Sequence, residues 1–272
     1  MSNCQCSNCR QKDEFDARAA FEELSQRQAE LADIVMQYMS EASLKRPKRA
    51  ENARGMAVAV AKIFGGEPTV EFPECCSVAG GDNCSGVLIH PRIVLTAAHC
   101  RNPATVRLDS TTRSSGGELI NVLRSRRHPD FNPATNFFDI RVLILQRAST
   151  VPPVRMATTQ EFLNAGQTTL VGFGRSEIGT GVKRVTTVDI ESDPDIDIFD
   201  PNREFAAGGN GQFACDGDSG GPAYIRIGNG FKVTGLTSRK ITQNCADGGI
   251  FTRVDAHFAF IRDVAAGSGI NI

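Results

Sequence analysis

The sequence contains no tryptophan, and it has only two tyrosines and four histidines among 272 residues. No apolar run approaches the roughly 18 residues that a membrane-spanning helix needs. The formal net charge of −1 supplies no excess of positive charge for nucleic acid. We therefore expect neither a membrane nor a nucleic acid as a partner.

Turn-forming residues dominate the larger part of the chain. The chain has 26 glycines and 12 prolines, and from residue 63 onward such residues interrupt short β-branched runs, which predicts an all-β domain over residues 63–272. Residues 13–44 instead have the apolar spacing of one amphipathic helix. A basic linker, residues 45–62, follows the helix and completes an N-terminal region of residues 1–62.

The first nine residues contain Cys4, Cys6 and Cys9 but no apolar core of a signal peptide. These thiols could bind zinc with a fourth ligand from elsewhere, or form disulfides with Cys75 or Cys76. Three thiols alone do not complete a zinc site, so we predict no metal. The total of nine cysteines is odd, so at least one stays unpaired or bonds outside the chain.

Three short segments carry residues that fit nucleophilic catalysis. Residues 217–222, Gly-Asp-Ser-Gly-Gly-Pro, set Ser219 between glycines, where a substrate carbonyl can approach closely. A serine needs a base and an orienting acid to become a nucleophile. His99, in Leu-Thr-Ala-Ala-His-Cys, and Asp139, in Phe-Asp-Ile-Arg-Val-Leu, supply these two groups.

The order of the three residues decides between two interpretations. An α/β-hydrolase places its histidine after the serine, but the only histidine after Ser219 is His257. The apolar spacing around His257 predicts a helix, on whose surface we expect this side chain. Asp109 and Asp130 also lie between histidine and serine, but an apolar strand follows Asp139 and predicts a buried position for it.

These segments resemble the chymotrypsin/trypsin-type serine endopeptidase family over about residues 63–264. Residues 63–66 (Ile-Phe-Gly-Gly), 172–175 (Gly-Phe-Gly-Arg) and 249–254 resemble further segments of that family. The resemblance implies two six-stranded Greek-key β-barrels with the active site between them, followed by a C-terminal helix. It also implies hydrolysis of a polypeptide substrate through an acyl-enzyme, without a cofactor.

The resemblance assigns roles around the nucleophile. The N–H groups of Gly217 and Ser219 would form the oxyanion hole. Ser238 would border the substrate and donate a hydrogen bond to Asp139. The main alternative is a binding protein that uses the same fold without catalysis. Such relatives usually lack the serine or the histidine, and this chain has both.

The resemblance also implies two disulfides, Cys84–Cys100 beside the histidine and Cys215–Cys245 beside the serine. Such bonds persist in oxidising compartments and favour a secreted protein. The missing signal peptide favours the cytoplasm instead. The compartment therefore stays open at this point.

Activation in the family suggests a role for the N-terminal region. Cleavage after Lys62 would free the ammonium of Ile63, which would pair with the buried carboxylate of Asp218. We therefore expect residues 1–62 to be a propeptide, and the full chain to be a zymogen that an activating protease cleaves. The alternative is that the N-terminal helix permanently docks a partner protein.

The pocket for the residue before the scissile bond departs from trypsin. The resemblance places Phe213 at the position of trypsin's pocket aspartate and Gly249 at the border of the pocket, where Asp216 or Asp247 could supply a charge from the rim or wall. Arg239 and Lys240 are expected to narrow its mouth and make it cationic. We therefore predict a preference for acidic, or small to medium apolar, residues.

Overall fold

The computed structural model of the protein describes residues 66–176, 179–191, 196–209 and 213–272. The predicted helix at 13–44, the three N-terminal cysteines and the bond between Lys62 and Ile63 lie outside the described residues. Within the described ranges, no helix combines the length and apolarity needed to cross a membrane.

Six antiparallel strands form a closed barrel in the order β2-β3-β4-β7-β6-β5. Its strands are β2 (Cys75–Gly80), β3 (Asn83–His90), β4 (Ile93–Thr96), β5 (Pro103–Leu108), β6 (Glu118–Arg127) and β7 (Arg141–Leu145). Alternate side chains fill its interior, because successive residues of a strand face opposite sides of the sheet. Buried leucine and valine side chains, including Leu88, Val106 and Leu143, make up this core.

A second sheet has seven antiparallel strands in the order β1-β11-β8-β13-β14-β15-β12. Its strands are β1 (Glu67–Pro68), β8 (Gln167–Gly172), β11 (Arg184–Asp189), β12 (Glu204–Ala207), β13 (Pro222–Ile227), β14 (Gly230–Lys240) and β15 (Gly249–Arg253). A bridge between Ile190 and Ala207 joins the end of β11 to β12. This bridge links the two ends of a six-stranded arrangement, which resembles the predicted second barrel. The seventh strand, β1, is an additional edge strand. A separate hairpin pairs β9 (Arg175–Ser176) with β10 (Gly179–Thr180).

Two helices lie outside the sheets. The first, α1 (Thr159–Leu163), begins with a capping box in which Thr158 and Glu161 satisfy each other's backbone N–H groups. The second, α2 (Phe258–Ala266), is the predicted C-terminal helix. It buries Ile261 and Ala265 in a core cluster that includes residues of both sheets. The all-β fold with a closing helix is therefore confirmed.

One expectation about α2 is wrong. His257 precedes the helix in a short 3-10 turn, and its side chain is buried rather than on the helix surface. Its ring packs edge-on against His128 at 5.2 Å between ring centroids, and Phe138 contacts both rings. The apolar spacing indicated which face of the C-terminal segment is buried, but it did not show that His257 lies on that face.

Candidate active site

Strand pairing brings His99 and Asp139 together. β4 and β7 pair antiparallel with Thr96 opposite Arg141, so the segment that follows β4 meets the segment that precedes β7. Asp139 Oδ2 lies 2.7 Å from His99 Nδ1, and Asp139 Oδ1 accepts a hydrogen bond of 2.9 Å from the His99 backbone N–H. The Asp139 side chain is fully buried, whereas 29% of the His99 side chain is exposed. The carboxylate thus fixes an imidazole that remains accessible on its other edge.

Asp139 accepts a third hydrogen bond, from a residue of the second sheet. Ser238, on β14, donates from Oγ to Asp139 Oδ2 over 2.6 Å. Burial lowers the pKa of His99, but the hydrogen bond and negative charge of Asp139 outweigh it and leave the pKa raised. Because Nδ1 donates to the carboxylate, Nε2 of the neutral ring is the nitrogen that can accept a proton.

Ser219 lies in the turn before β13, against the loop that holds His99. Its carbonyl accepts a 2.8 Å hydrogen bond from the Ser85 N–H. Gly220, with φ of +76°, follows Ser219, and a Cβ there would lie 2.1 Å from Thr96 Oγ1. Only glycine therefore allows the serine turn to approach β4 this closely.

The peptide groups around Gly217 have an asymmetric environment. The Gly217 carbonyl accepts hydrogen bonds from Ser85 Oγ and Arg113 Nη2, both at 3.0 Å. The N–H groups of Gly217 and Ser219 donate to no atom of the described residues. The carbonyl is thus held by the first barrel, and the two N–H groups are available to a substrate oxygen.

Asp218 is buried beneath this loop. Its carboxylate accepts 2.7 Å and 3.0 Å hydrogen bonds from the N–H groups of Gly174 and Cys215. A Cβ on Gly172 or Gly174 would lie 2.0 or 2.4 Å from a carboxylate oxygen, so both glycines make room for Asp218. Burial raises the pKa of Asp218 to about 6, although these hydrogen bonds and the charge of Arg113 act in the opposite direction.

Two disulfides brace the loops. Cys84 bonds to Cys100 beside His99, and Cys215 bonds to Cys245 beside Ser219, as the sequence resemblance implied. The only group of potential metal ligands among the described residues is the second disulfide with Asp216. Its sulfurs are bonded to each other and offer no thiolate ligand to a metal.

Cys75 and Cys76 are the free cysteines of the described residues. Both are fully buried on β2, and burial raises the pKa of each thiol. A disulfide from either one to the N-terminal cysteines would require β2 to open.

A cavity of about 300 Å³ adjoins Ser219. It brings together most of the predicted substrate-binding residues, since Asp216, Ser238, Lys240 and Gly249 all line it. Phe213 does not line it. That ring is 1% exposed and is buried against Cys215 and Cys245.

Arg239 does not supply the free charge expected at the mouth of this cavity. Its guanidinium forms an ion pair with the buried carboxylate of Glu204 and donates a 2.7 Å hydrogen bond to the Ile198 carbonyl. Lys240 instead pairs with Asp216, whose side chain is 60% exposed. Both predicted cations thus line the cavity and both are ion-paired, Arg239 with a buried carboxylate and Lys240 with a partly exposed one.

A larger cavity of about 590 Å³ continues from the first and shares Arg239, Lys240 and Thr242 with it. Residues 134–136 form part of its other wall. The two cavities therefore form a continuous cleft beside Ser219.

A serine turn beside a histidine that a buried aspartate holds, with one closed β-barrel and a second antiparallel sheet, is typical of serine-protease-like proteins. The family model described as Trypsin matches residues 63–261. The chain therefore belongs to the trypsin family.

Named relatives agree with this assignment. The vitellin-degrading protease of Bombyx mori is 32% identical over 223 residues, which cover 72% of this chain and 82% of that protein. Human cathepsin G is 30% identical over 213 residues, covering 72% and 81%. Glucanase inhibitor protein 4 of Phytophthora infestans is 29% identical over 180 residues, covering 60% and 71%.

Proposed function

We propose that the chain is a serine endopeptidase. The observation that supports this most directly is the buried Asp139, which accepts hydrogen bonds from two nitrogens of His99 and from Ser238. This arrangement holds the imidazole in the tautomer that can take a proton from Ser219.

In the proposed reaction Ser219 Oγ attacks a peptide carbonyl while His99 Nε2 takes the hydroxyl proton. The tetrahedral oxyanion accepts hydrogen bonds from the Gly217 and Ser219 N–H groups. His99 then gives its proton to the leaving amine, and an acyl-enzyme remains on Ser219. A water molecule hydrolyses this ester by the same proton transfers and regenerates the serine.

We propose a preference for an acidic residue before the scissile bond. Lys240 lines the cavity beside Ser219. Phe213 stands where trypsin has its pocket aspartate, so that position contributes no carboxylate to the cavity. Asp216 is twice as exposed as Lys240, with 60% against 31% of the side chain accessible. A substrate carboxylate can therefore replace Asp216 on the ammonium, while Asp216 moves into water. Small uncharged residues leave the pair intact and would be accepted less well.

We propose further that residues 1–62 are a propeptide that an activating protease removes after Lys62. The support is the buried carboxylate of Asp218, whose raised pKa reflects the unfavourable burial of its charge. An ammonium at Ile63 would relieve this burial. Since the proposed pocket is cationic, a second protease must cut after the lysine.

The alternative function is that of a non-catalytic binding protein. The names of two relatives, glucanase inhibitor proteins 3 and 4 of Phytophthora infestans, favour it, because they describe inhibitors rather than proteases. The presence of serine, histidine and aspartate in this chain favours the endopeptidase.

A fluorophosphonate probe tests the proposal. The purified full chain and its Ser219→Ala variant are treated with the probe before and after cleavage at a protease site engineered at residue 62. We expect labelling that depends on Ser219 and increases on cleavage. Equal labelling of the uncut chain would assign the N-terminal region to docking. No labelling of a folded, cleaved protein would favour the binding protein.

A further inference from the structure

Arg113 belongs to the loop between β5 and β6 in the first barrel, and its backbone is fixed on both sides. Its N–H donates 2.7 Å to the carbonyl of Gly181, which belongs to the second half of the molecule. Its own carbonyl accepts 3.3 Å from Ser77 Oγ. The direction of the side chain is therefore set by the loop.

The guanidinium of Arg113 connects three backbone carbonyls. Nη1 donates to Cys84 over 2.8 Å, and Nη2 donates to both Phe173 and Gly217 over 3.0 Å. Cys84 belongs to the first barrel, whereas Phe173 and Gly217 belong to loops of the second. A planar fork of N–H donors suits this arrangement better than a single ammonium.

The Gly217 contact bears directly on the oxyanion hole. Gly217 has φ of +94°, and a Cβ there would lie 3.1 Å from Gly174 Cα and 3.3 Å from Arg113 Nη2. The peptide is thus enclosed between these two groups, with its carbonyl held by Arg113 and Ser85. A carbonyl fixed in this way fixes the orientation of the chain that carries both oxyanion N–H groups.

The charge of Arg113 also acts on the adjacent carboxylate. It favours the ionised form of Asp218, whose hydrogen bonds to Gly174 and Cys215 keep the loop in place. Asp216, the other charged group that acts on Asp218, opposes ionisation.

We propose that Arg113 is a positioning residue that holds the oxyanion loop in its catalytic arrangement, even before the chain is cut. This inference rests on the proposed endopeptidase function. It assigns to a residue of the first barrel part of the support that a new N-terminus would give. The uncut chain should therefore retain a low activity that depends on Arg113.

The test compares Arg113→Gln, Arg113→Lys and, as a control, Arg126→Gln, which alters an exposed arginine on β6. Each full chain is assayed cut and uncut, by peptide hydrolysis across pH and by fluorophosphonate labelling. Thermal unfolding checks that each variant is folded.

We expect Arg113→Gln to lower kcat of the cut enzyme by about 10- to 100-fold, the range for losing hydrogen bonds to a charged group. KM should stay within about twofold, because the arginine does not line the substrate cavity. The acid limb of the pH profile should move to higher pH, since Asp218 loses a favourable charge. Labelling of the uncut chain should disappear. Arg113→Lys should recover part of kcat, and Arg126→Gln should match the wild type.

An Arg113→Gln enzyme with wild-type kcat and an unmoved acid limb would overturn the inference. If this variant does not fold, Arg113→Lys decides, and wild-type values for it would overturn the inference as well. A folded wild-type chain without labelling in either state would refute the proposed function, and the positioning role with it.

Discussion

Lys240 and Asp216 form an ion pair across the mouth of the cavity beside Ser219, with 2.8 Å between Nζ and Oδ1. Under the proposed specificity, Asp216 therefore competes with a substrate carboxylate for the Lys240 ammonium. Because both side chains are partly exposed, the pair is weak enough to exchange partners. The proposed preference requires that an acidic substrate residue take the place of Asp216 in this pair.

The first prediction concerns matched peptide substrates that differ only in Glu or Gln before the scissile bond. The wild type should favour Glu by about tenfold in kcat/KM, and Lys240→Gln should remove this preference. Asp216→Asn should increase it, because the competitor is lost. Equal use of both peptides by the wild type and Lys240→Gln would contradict the role of Lys240 while leaving peptidase activity established.

Removing the serine that supports the aspartate should slow catalysis. Ser238→Ala deletes the 2.6 Å hydrogen bond to Asp139 Oδ2, so we expect kcat to fall by about tenfold. The less neutralised carboxylate should raise the pKa of His99 further, and the acid limb of kcat should move to higher pH. Steady-state kinetics across pH will show this. Ser268→Ala, which changes a serine near the C-terminus, should leave the profile unchanged.

For catalysis, the space around Asp218 should be as important as the charge of this carboxylate. In Gly174→Ala the new Cβ would lie 2.4 Å from Asp218 Oδ2, so the carboxylate and the oxyanion loop must move. We expect kcat to fall at least about 100-fold, comparable with losing one oxyanion donor. Gly166→Ala meets no atom within 4 Å and serves as the control. A Gly174→Ala enzyme with normal kcat would show that the loop tolerates displacement.

Acid should destabilise the protein through His257. Burial lowers its pKa to about 4, and the charges of His128 and Arg203 act in the same direction, whereas Asp255 and Asp200 oppose them. The unfolded chain binds this proton near pH 6.5, so the stability present above that pH is lost as the pH falls towards about 4. The loss should be about 3 kcal/mol.

Urea unfolding at pH 7.5 and pH 4.5 will measure this loss. His257→Phe should reduce the difference between the two pH values, because a phenyl ring beside Phe138 and His128 takes up no proton. An unchanged difference would assign the acid sensitivity to other groups.

The sequence was informative where function lies in contiguous segments. The loops of His99, Asp139 and Ser219 each have a local pattern, and their order specified one family and thereby the fold. Both disulfides followed from the same resemblance. A short segment of this kind indicates a residue's role, because local geometry requires a glycine, serine or histidine at that position.

Contacts between distant residues could not be predicted in this way. Arg113 and Gly217 are 104 positions apart, and Arg239 and Glu204 are 35 apart, without any pattern that connects them. Which arginine faces a cavity and which meets a buried carboxylate depends on the packing of whole sheets. The burial of His257 was missed for the same reason.

The three donors to Asp139 also connect the two barrels. His99 follows a strand of the first barrel, whereas Ser238 lies on β14 of the second sheet. Any separation of the barrels must break this junction, even if every strand stays intact. Loss of turnover should therefore precede loss of circular dichroism on heating, so that enzyme activity reports the earliest opening of the molecule.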